Sequence, residues 1–330
     1  MAAIKPPMYS VGFIPVLVAA AASFYVHGAL PWGRTAAFAL AAILVIAWLN
    51  LSNDAFDANT GVDHTKPESV VNLLGGPSRR HAVLLLAKAL LASGVGLLAH
   101  LIASAPGADP RPAALLAFSI VCGYVYQGPP FRLSYKGLGE PLCFFAFGPS
   151  ATPAFYLALQ PDGAAAAAYA AAATSAAAAG GGLAGAAAWA SALAAGVPPV
   201  VWALSIIVGL TTTAILFCSH FHQIAGDTAA GKRSPLVRLG TERARHVLRG
   251  AAVLTHGAAL AAAATGVLPW ATAAATLLAA PAARAMVAFA DENHTVPAKV
   301  APLKRFAVKW HILTGLCLCA GLAAARALGA

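Results

Sequence analysis

The sequence predicts an all-α integral membrane protein, a bundle of about nine transmembrane helices around a central active-site cavity. Of its 330 residues 60% are hydrophobic and only 10% are charged, whereas a soluble domain carries roughly 25% charged residues. The apolar residues also come in runs of about 17–25, the length that crosses some 30 Å of hydrocarbon as helix. Finally, the charges divide unevenly between the two ends of the expected spans.

The spans are expected near 9–28, 36–56, 82–103, 112–127, 140–159, 197–223, 246–264, 267–290 and 306–326. The first follows Lys5-Pro6-Pro7-Met8-Tyr9 directly, with no signal or transit segment read ahead of it. Each later span is an apolar run bounded by a polar connection, and the connections near 58–81, 128–139, 224–245 and 291–305 fall on the N-terminal side of the membrane. That side receives all of the 21 Lys and Arg except Arg34, Arg111 and Arg326, which makes it cytoplasmic or stromal by the positive-inside rule. It also receives every one of the 11 acids except Asp109 and Asp162. Orientation needs only basic residues, so the joint clustering of both signs points to a polar site on that face.

One transmembrane domain is expected over 1–330, with an Ala/Gly-rich insert near 161–196 that reads as a variable loop or weak helix on the opposite side. The formal charge of +10 is dispersed among juxtamembrane loops without an aromatic-interleaved stripe, which excludes a nucleic-acid partner. Cys122, Cys143, Cys218, Cys317 and Cys319 all fall in spans without metal-finger spacing and read as small apolar fillers.

The second span ends in Asn50-Leu51-Ser52-Asn53-Asp54-Ala55-Phe56-Asp57, with Asp63 beyond. Asn50, Asn53, Asp54 and Asp57 stand at i, i+3, i+4 and i+7, so a continuing helix points them to one place. Carboxylates are disfavoured at a helix C-terminus unless something positive offsets them. A divalent cation does so, and all-oxygen ligands favour Mg²⁺, which keeps waters and substrate phosphates as its other ligands. The bland reading is a solvated helix exit; the density of acids argues against it. Lys66, close behind, is a phosphate contact or an orientation residue.

The sixth span ends His220-Phe221-His222-Gln223-Ile224-Ala225-Gly226-Asp227, followed by Lys232-Arg233 and Arg238. On a continuing helix His220, Gln223 and Asp227 share a face, while His220 and His222 point apart and make a zinc or iron site improbable. Asp227 reads as a further Mg²⁺ ligand, with Lys232 and Arg238 on anionic oxygens. Between the fourth and fifth spans, Gln127-Gly128-Pro129-Pro130-Phe131-Arg132-Leu133-Ser134-Tyr135-Lys136 is a stiff turn that can hold Arg132, Tyr135 and Lys136 in place. Oxygen-rich clusters and cations at the end of a greasy bundle suit a diphosphate with a hydrocarbon tail. There is no nucleotide-type glycine loop and no Ser/His/Asp signature, so metal-assisted departure of diphosphate is the simplest chemistry these residues support.

These residues resemble the UbiA superfamily of intramembrane prenyltransferases over essentially the whole chain. Asn50 to Asp63 resembles the family's first aspartate-rich motif, and Asp227 to Gly240 the end of its second. Lys5 to Ser10, Asn53 to Asp57 with Gly61 and Asp63, Gln127 to Phe131 and His220 to Gln223 are similar to the 1,4-dihydroxy-2-naphthoate branch. The His-Phe-His-Gln form is similar to the plastid phytyltransferases of that branch, which act on 2-carboxy-1,4-naphthoquinone in phylloquinone synthesis. One departure stands out: Gln223 occupies the place of the second motif's first aspartate.

The resemblance implies Mg²⁺ held to a diphosphate by Asn53, Asp54, Asp57 and Asp227, with Asp63 nearby. It implies that Lys66, Arg132, Tyr135, Lys136, Lys232 and Arg238 neutralise the leaving group and that Asn50, His220 and Gln223 contact substrate. Phe144, Phe145, Phe147 and Tyr156 are candidates for stabilising an allylic cation, against plain packing. The implied substrates are phytyl or another prenyl diphosphate and 1,4-dihydroxy-2-naphthoate, in a chloroplast membrane with the site facing the stroma, or facing the cytoplasm in a bacterium. Polyprenyl transfer giving demethylmenaquinone, prenylation of homogentisate or a chlorophyllide, and an ion-coupled transporter stay open as alternatives.

Overall fold

The computed structural model describes residues 6–60 and 69–329. The helices are α1 (Ser10–His27), α2 (Trp32–Thr60), α3 (Arg80–Ala103), α4 (Arg111–Gln127), a composite α5 (Gly139–Phe145, Ala146–Ala151 and Thr152–Ala158), α6 (Ala164–Ala178), α7 (Gly182–Ala194), α8 (Pro199–Ser219), α9 (Ile224–Ala229), α10 (Pro235–Ala264), α11 (Trp270–Leu277), α12 (Ala280–Asn293) and α13 (Leu303–Ala327). No strand occurs among the described residues. Among the described residues seven helices are long and apolar enough to cross a membrane, from Ser10–His27 to Pro297–Ala327. The other two expected spans are also helical, but one is the 17-residue α4 and the other the interrupted α5. The protein is a multi-pass membrane protein.

Three differences from the sequence expectation have local causes. The sixth span stops at Ser219 rather than running to 223: residues 220–223 form a turn before α9. His220, Gln223 and Asp227 therefore do not share one helical face. The seventh span starts earlier, at Pro235, because its first turns continue past a non-helical Gly240 (φ 71°), a conformation that glycine adopts without strain. The segment 161–196 forms two helices, as its alanine content favours.

Alanine supplies helix propensity but little packing volume, so α6 and α7 are held by a polar clasp instead. Arg111, read in the sequence as a lone basic residue of the far side, is 1% exposed and is paired with Asp109 at 2.7 Å. Its guanidinium donates to the carbonyls of Ala165 (2.8 Å), Leu193 (3.1 Å) and Ala195 and lies 4.8 Å over the Tyr169 ring. One buried charge thus satisfies the ends of both helices.

The site is positioned by the crossing of α5 and α8. Pro149 lies inside α5 and has no N–H to give the helix; the turn there widens to a π-helix over Ala146–Ala151. At this point Gly148 meets Gly209, and a Cβ on Gly148 would stand 2.6 Å from the Ser205 carbonyl oxygen. A Cβ on Gly209 would stand 2.9 Å from the Phe144 ring. Small residues let two backbones approach where lipid gives no hydrophobic drive for helix association. A further buried contact, Thr211 Oγ1 to His311 Nδ1 at 2.9 Å, ties α8 to α13.

Gly148→Ala should therefore force α5 from α8 and cost about 1–3 kcal/mol. A lower midpoint of thermal unfolding in detergent, followed by tryptophan fluorescence, would show it; an unchanged midpoint would mean that the crossing is loose.

Candidate active site

A cavity of about 250 Å³ opens at the end of the bundle where α2, α4 and α8 finish. Its polar end is walled by Asn50, Asn53, Asp54 and Asp57 of α2, Gln127 of α4, Ser134 of the following loop, His220 and Gln223 of the turn after α8, Lys232 and Lys304. Its deeper walls are apolar, among them Val45, Ile46, Trp48, Leu116, Phe147, Phe155 and Ile215. One chamber thus joins a charged mouth to a greasy interior.

The first motif is built as its spacing requires. Helix α2 runs unbroken past Asp57, so the four oxygen-bearing side chains at i, i+3, i+4 and i+7 all reach the cavity. Asp54 is 2% exposed, and its Oδ2 accepts the Val70 amide at 2.9 Å, which fixes one oxygen. The Tyr135 hydroxyl donates to Asp57 Oδ1 at 3.4 Å, a long bond that links the loop after α4 to the motif. Gln127 Nε2 donates to the Leu49 carbonyl and to Ser52 Oγ, both at 3.1 Å. The ends of α2 and α4 are therefore locked together.

The second motif divides. His220 and Gln223 line the cavity, while Asp227 lies behind them, 1% exposed, with Lys232 Nζ 3.2 Å from its Oδ1. Oδ1 has the Lys232 ammonium beside it, and Oδ2 accepts no hydrogen bond among the described residues, so Oδ2 retains capacity for a cation. His220 Nδ1 meets Glu140 Oε1 at 3.1 Å, which ties the start of α5 to the end of α8.

Arg132, Tyr135, Lys136 and Arg238 are not part of the cavity wall. Arg132 holds a left-handed backbone (φ 43°), costly for a residue with a Cβ, and its guanidinium lies 6.0 Å over the Tyr135 ring. The Arg233 amide donates to the Tyr135 carbonyl at 2.8 Å, and Arg238 Nη2 donates to the Lys136 carbonyl at 2.6 Å. The basic loop after α4 and the basic segment after α9 are thereby latched into one rim. Asp63 and Lys66 lie outside the described residues.

Of the aromatic candidates only Phe147 reaches the cavity. Phe144 packs on Gly209, Phe145 is exposed, and Tyr156 bonds His27 Nε2 at 3.2 Å from within the main core cluster. A helix pattern gives the face of each residue but not which neighbour covers it. Sequence reasoning gave no site role to Tyr126, Gln127, Glu140 or Lys304. Their only signals were position at a span end and, for Gln127 and Glu140, the flanks of the Gly-Pro turn. The five cysteines are free; Cys122 and Cys143 face the cavity.

Among the described residues no three His, Cys, Asp or Glu side chains converge as a ready cage for a metal. The oxygen donors are instead spread along one wall, with amides beside carboxylates. Such a set suits a hard divalent ion that takes part of its coordination from a phosphate and water.

The family described as "UbiA prenyltransferase family" matches residues 12–180 and 171–313. The chain is 41% identical to the chloroplastic 2-carboxy-1,4-naphthoquinone phytyltransferase of Arabidopsis thaliana, over 98% of this chain and 76% of that protein. It is 36% identical to the 2-carboxy-1,4-naphthoquinone phytyltransferase of Synechocystis, over 97% and 92%. Its fold is similar to that of a UbiA homolog from Aeropyrum pernix K1, with a TM-score of 0.60 at 14% identity, covering 96% of this chain and 97% of that one.

The buried pair at Asp227 gives a test of the second motif's frame. Lys232→Met leaves Asp227 without its countercharge and should cost about 3–5 kcal/mol. The double change Asp227→Asn with Lys232→Met should recover most of that loss, read as the unfolding midpoint in detergent. Equal destabilisation by single and double variants would show that the pair is not coupled.

Proposed function

The chain belongs to the UbiA prenyltransferase family, and on that premise we propose that it moves a phytyl group from its diphosphate to 1,4-dihydroxy-2-naphthoate. Carbon dioxide is lost and the product is the quinol precursor of phylloquinone. The observation that carries this reading is the single cavity in which an acid-rich end and an apolar interior meet, alongside two relatives of that activity by name. The whole chain acts as one transmembrane domain, in a chloroplast membrane with the site on the stromal side, or on the cytoplasmic side in a bacterium.

The residues present fit Mg²⁺, since the donors are hard oxygens and Asp227 Oδ2 is buried without a hydrogen bond among the described residues. Asn53, Asp54 and Asp57, which line the cavity, would hold the ion, which when bound neutralises charge on the departing diphosphate; Asp227, behind the wall and paired with Lys232, would support it from the second motif. Lys232 and Lys304 reach the same chamber and add fixed positive charge, and Arg132, Lys136 and Arg238 do so at the rim. The apolar walls take the hydrocarbon tail and keep water from the allylic carbon. Phe147 and Tyr126 line the cavity, and their aromatic rings would favour a developing cation. Carbon–oxygen cleavage releases diphosphate, the naphthoate carbon bearing the carboxylate attacks, and that carboxylate leaves as carbon dioxide.

Purified protein supplied with dihydroxynaphthoate should convert phytyl diphosphate in preference to solanesyl diphosphate at equal concentrations. A win for the longer tail would move the protein to the polyprenyl, demethylmenaquinone branch. Excess chelator should abolish turnover, with Mg²⁺ or Mn²⁺ restoring it and Zn²⁺ doing so poorly; full activity in chelator would remove the metal from the mechanism. Asp57→Ala should drop the rate below about a tenth of wild type, because it removes a ligand of the ion that offsets the leaving group's charge, and losing one such electrostatic element costs about 10²–10³-fold. A variant that kept most of its rate would take Asp57 out of the site.

A further inference from the structure

We propose that Glu140 and His220 form a proton-handling pair for the naphthoate acceptor, with His220 Nε2 as the base and Glu140 as the residue that positions it. The inference rests on the naphthoate reading above and adds a role that the aspartate motifs do not supply. His220 and Glu140 are 3% and 9% exposed, and Nδ1 meets Oε1 at 3.1 Å. Burying a carboxylate in an apolar bundle is costly unless it is paired and bonded. Here the imidazole is its recorded partner, and Oε2 makes no hydrogen bond among the described residues. A carboxylate accepts, so Nδ1 carries the hydrogen and Nε2 keeps its lone pair. Since His220 forms part of the cavity wall and Nδ1 is engaged by Glu140, Nε2 is the nitrogen free to meet an acceptor.

The chemistry needs such a group. As the carboxylate-bearing ring carbon bonds to the allylic carbon, the bond from that carbon to the diphosphate oxygen breaks and its electrons leave with diphosphate. The acceptor's neighbouring hydroxyl becomes a carbonyl, and its proton passes to His220 Nε2. When carbon dioxide departs, the electrons of the broken carbon–carbon bond return to that carbonyl oxygen. The oxygen takes the proton back from Nε2, so the pair ends as it began. Asp54 and Asp57 are assigned above to the metal and the donor's diphosphate, which leaves the acceptor's proton to another group. The Gly148–Gly209 crossing is what allows the start of α5 and the end of α8 to come within hydrogen-bond reach.

Glu140→Gln is nearly isosteric and can still accept from Nδ1, but lacks the charge that holds the tautomer and stabilises the protonated ring. It should lower kcat about 10–100-fold, and His220→Gln about 10²–10⁴-fold. In both variants the acceptor-dependent kcat should fall by a larger factor than the KM for prenyl diphosphate changes. The loss in Glu140→Gln should shrink with a naphthoate carrying an electron-withdrawing ring substituent, whose hydroxyl gives up its proton more readily; a merely structural contact would show no such dependence. An unchanged kcat in Glu140→Gln, or a loss equal for both acceptors and matched by a lower unfolding midpoint, would overturn the proposal. A wild-type protein that turns over no naphthoate would instead overturn the reading on which it rests.

Discussion

Charge is costly in hydrocarbon, and the site's architecture follows from gathering most charged groups at one end of the bundle and giving the buried ones a partner. Asp227 has Lys232, Glu140 has His220, and Asp54 has the Val70 amide. At the other end Arg111 has Asp109 and three carbonyls. Each of these links also joins segments that the helical bundle alone would leave independent. The partner that cancels a charge is thus the same contact that fixes an element's position.

Those links are short, so they tolerate little freedom in the backbone. Two features supply the needed closeness. The π turn at Ala146–Ala151 and the facing glycines let α5 lie against α8, and the bonds of Gln127 to Leu49 and Ser52 pin α4 to α2. The acids of α2 and the His220 turn therefore line one cavity. The latch between the Tyr135–Lys136 loop and Arg233–Arg238 closes the rim around it. A chamber of this kind divides labour by polarity: oxygen and ammonium at the mouth handle a diphosphate, and apolar walls below take a tail.

The sequence by itself determined the broad result. Long apolar runs and one-sided charge are enough for a multi-pass helical protein, because a bilayer permits few alternatives for satisfying backbone hydrogen bonds. The first motif was legible for the same kind of reason: Asn50, Asn53, Asp54 and Asp57 sit on one unbroken helix, where spacing alone sets direction. Where the helix breaks, that logic fails. The turn at 220–223 sent Asp227 behind the cavity wall, although its spacing from His220 matched a shared face. Glu140 and Lys304 looked like ordinary residues at span ends, and Arg111 like an orientation signal. Their roles depend on contacts between segments 80 to 84 residues apart, as in Glu140 with His220 and Arg111 with Leu193 and Ala195, and a one-dimensional pattern contains no distance of that sort. Only the packed structure decided which charges met, since helix crossings, set by glycines and a proline-widened turn, determine which span ends share a cavity.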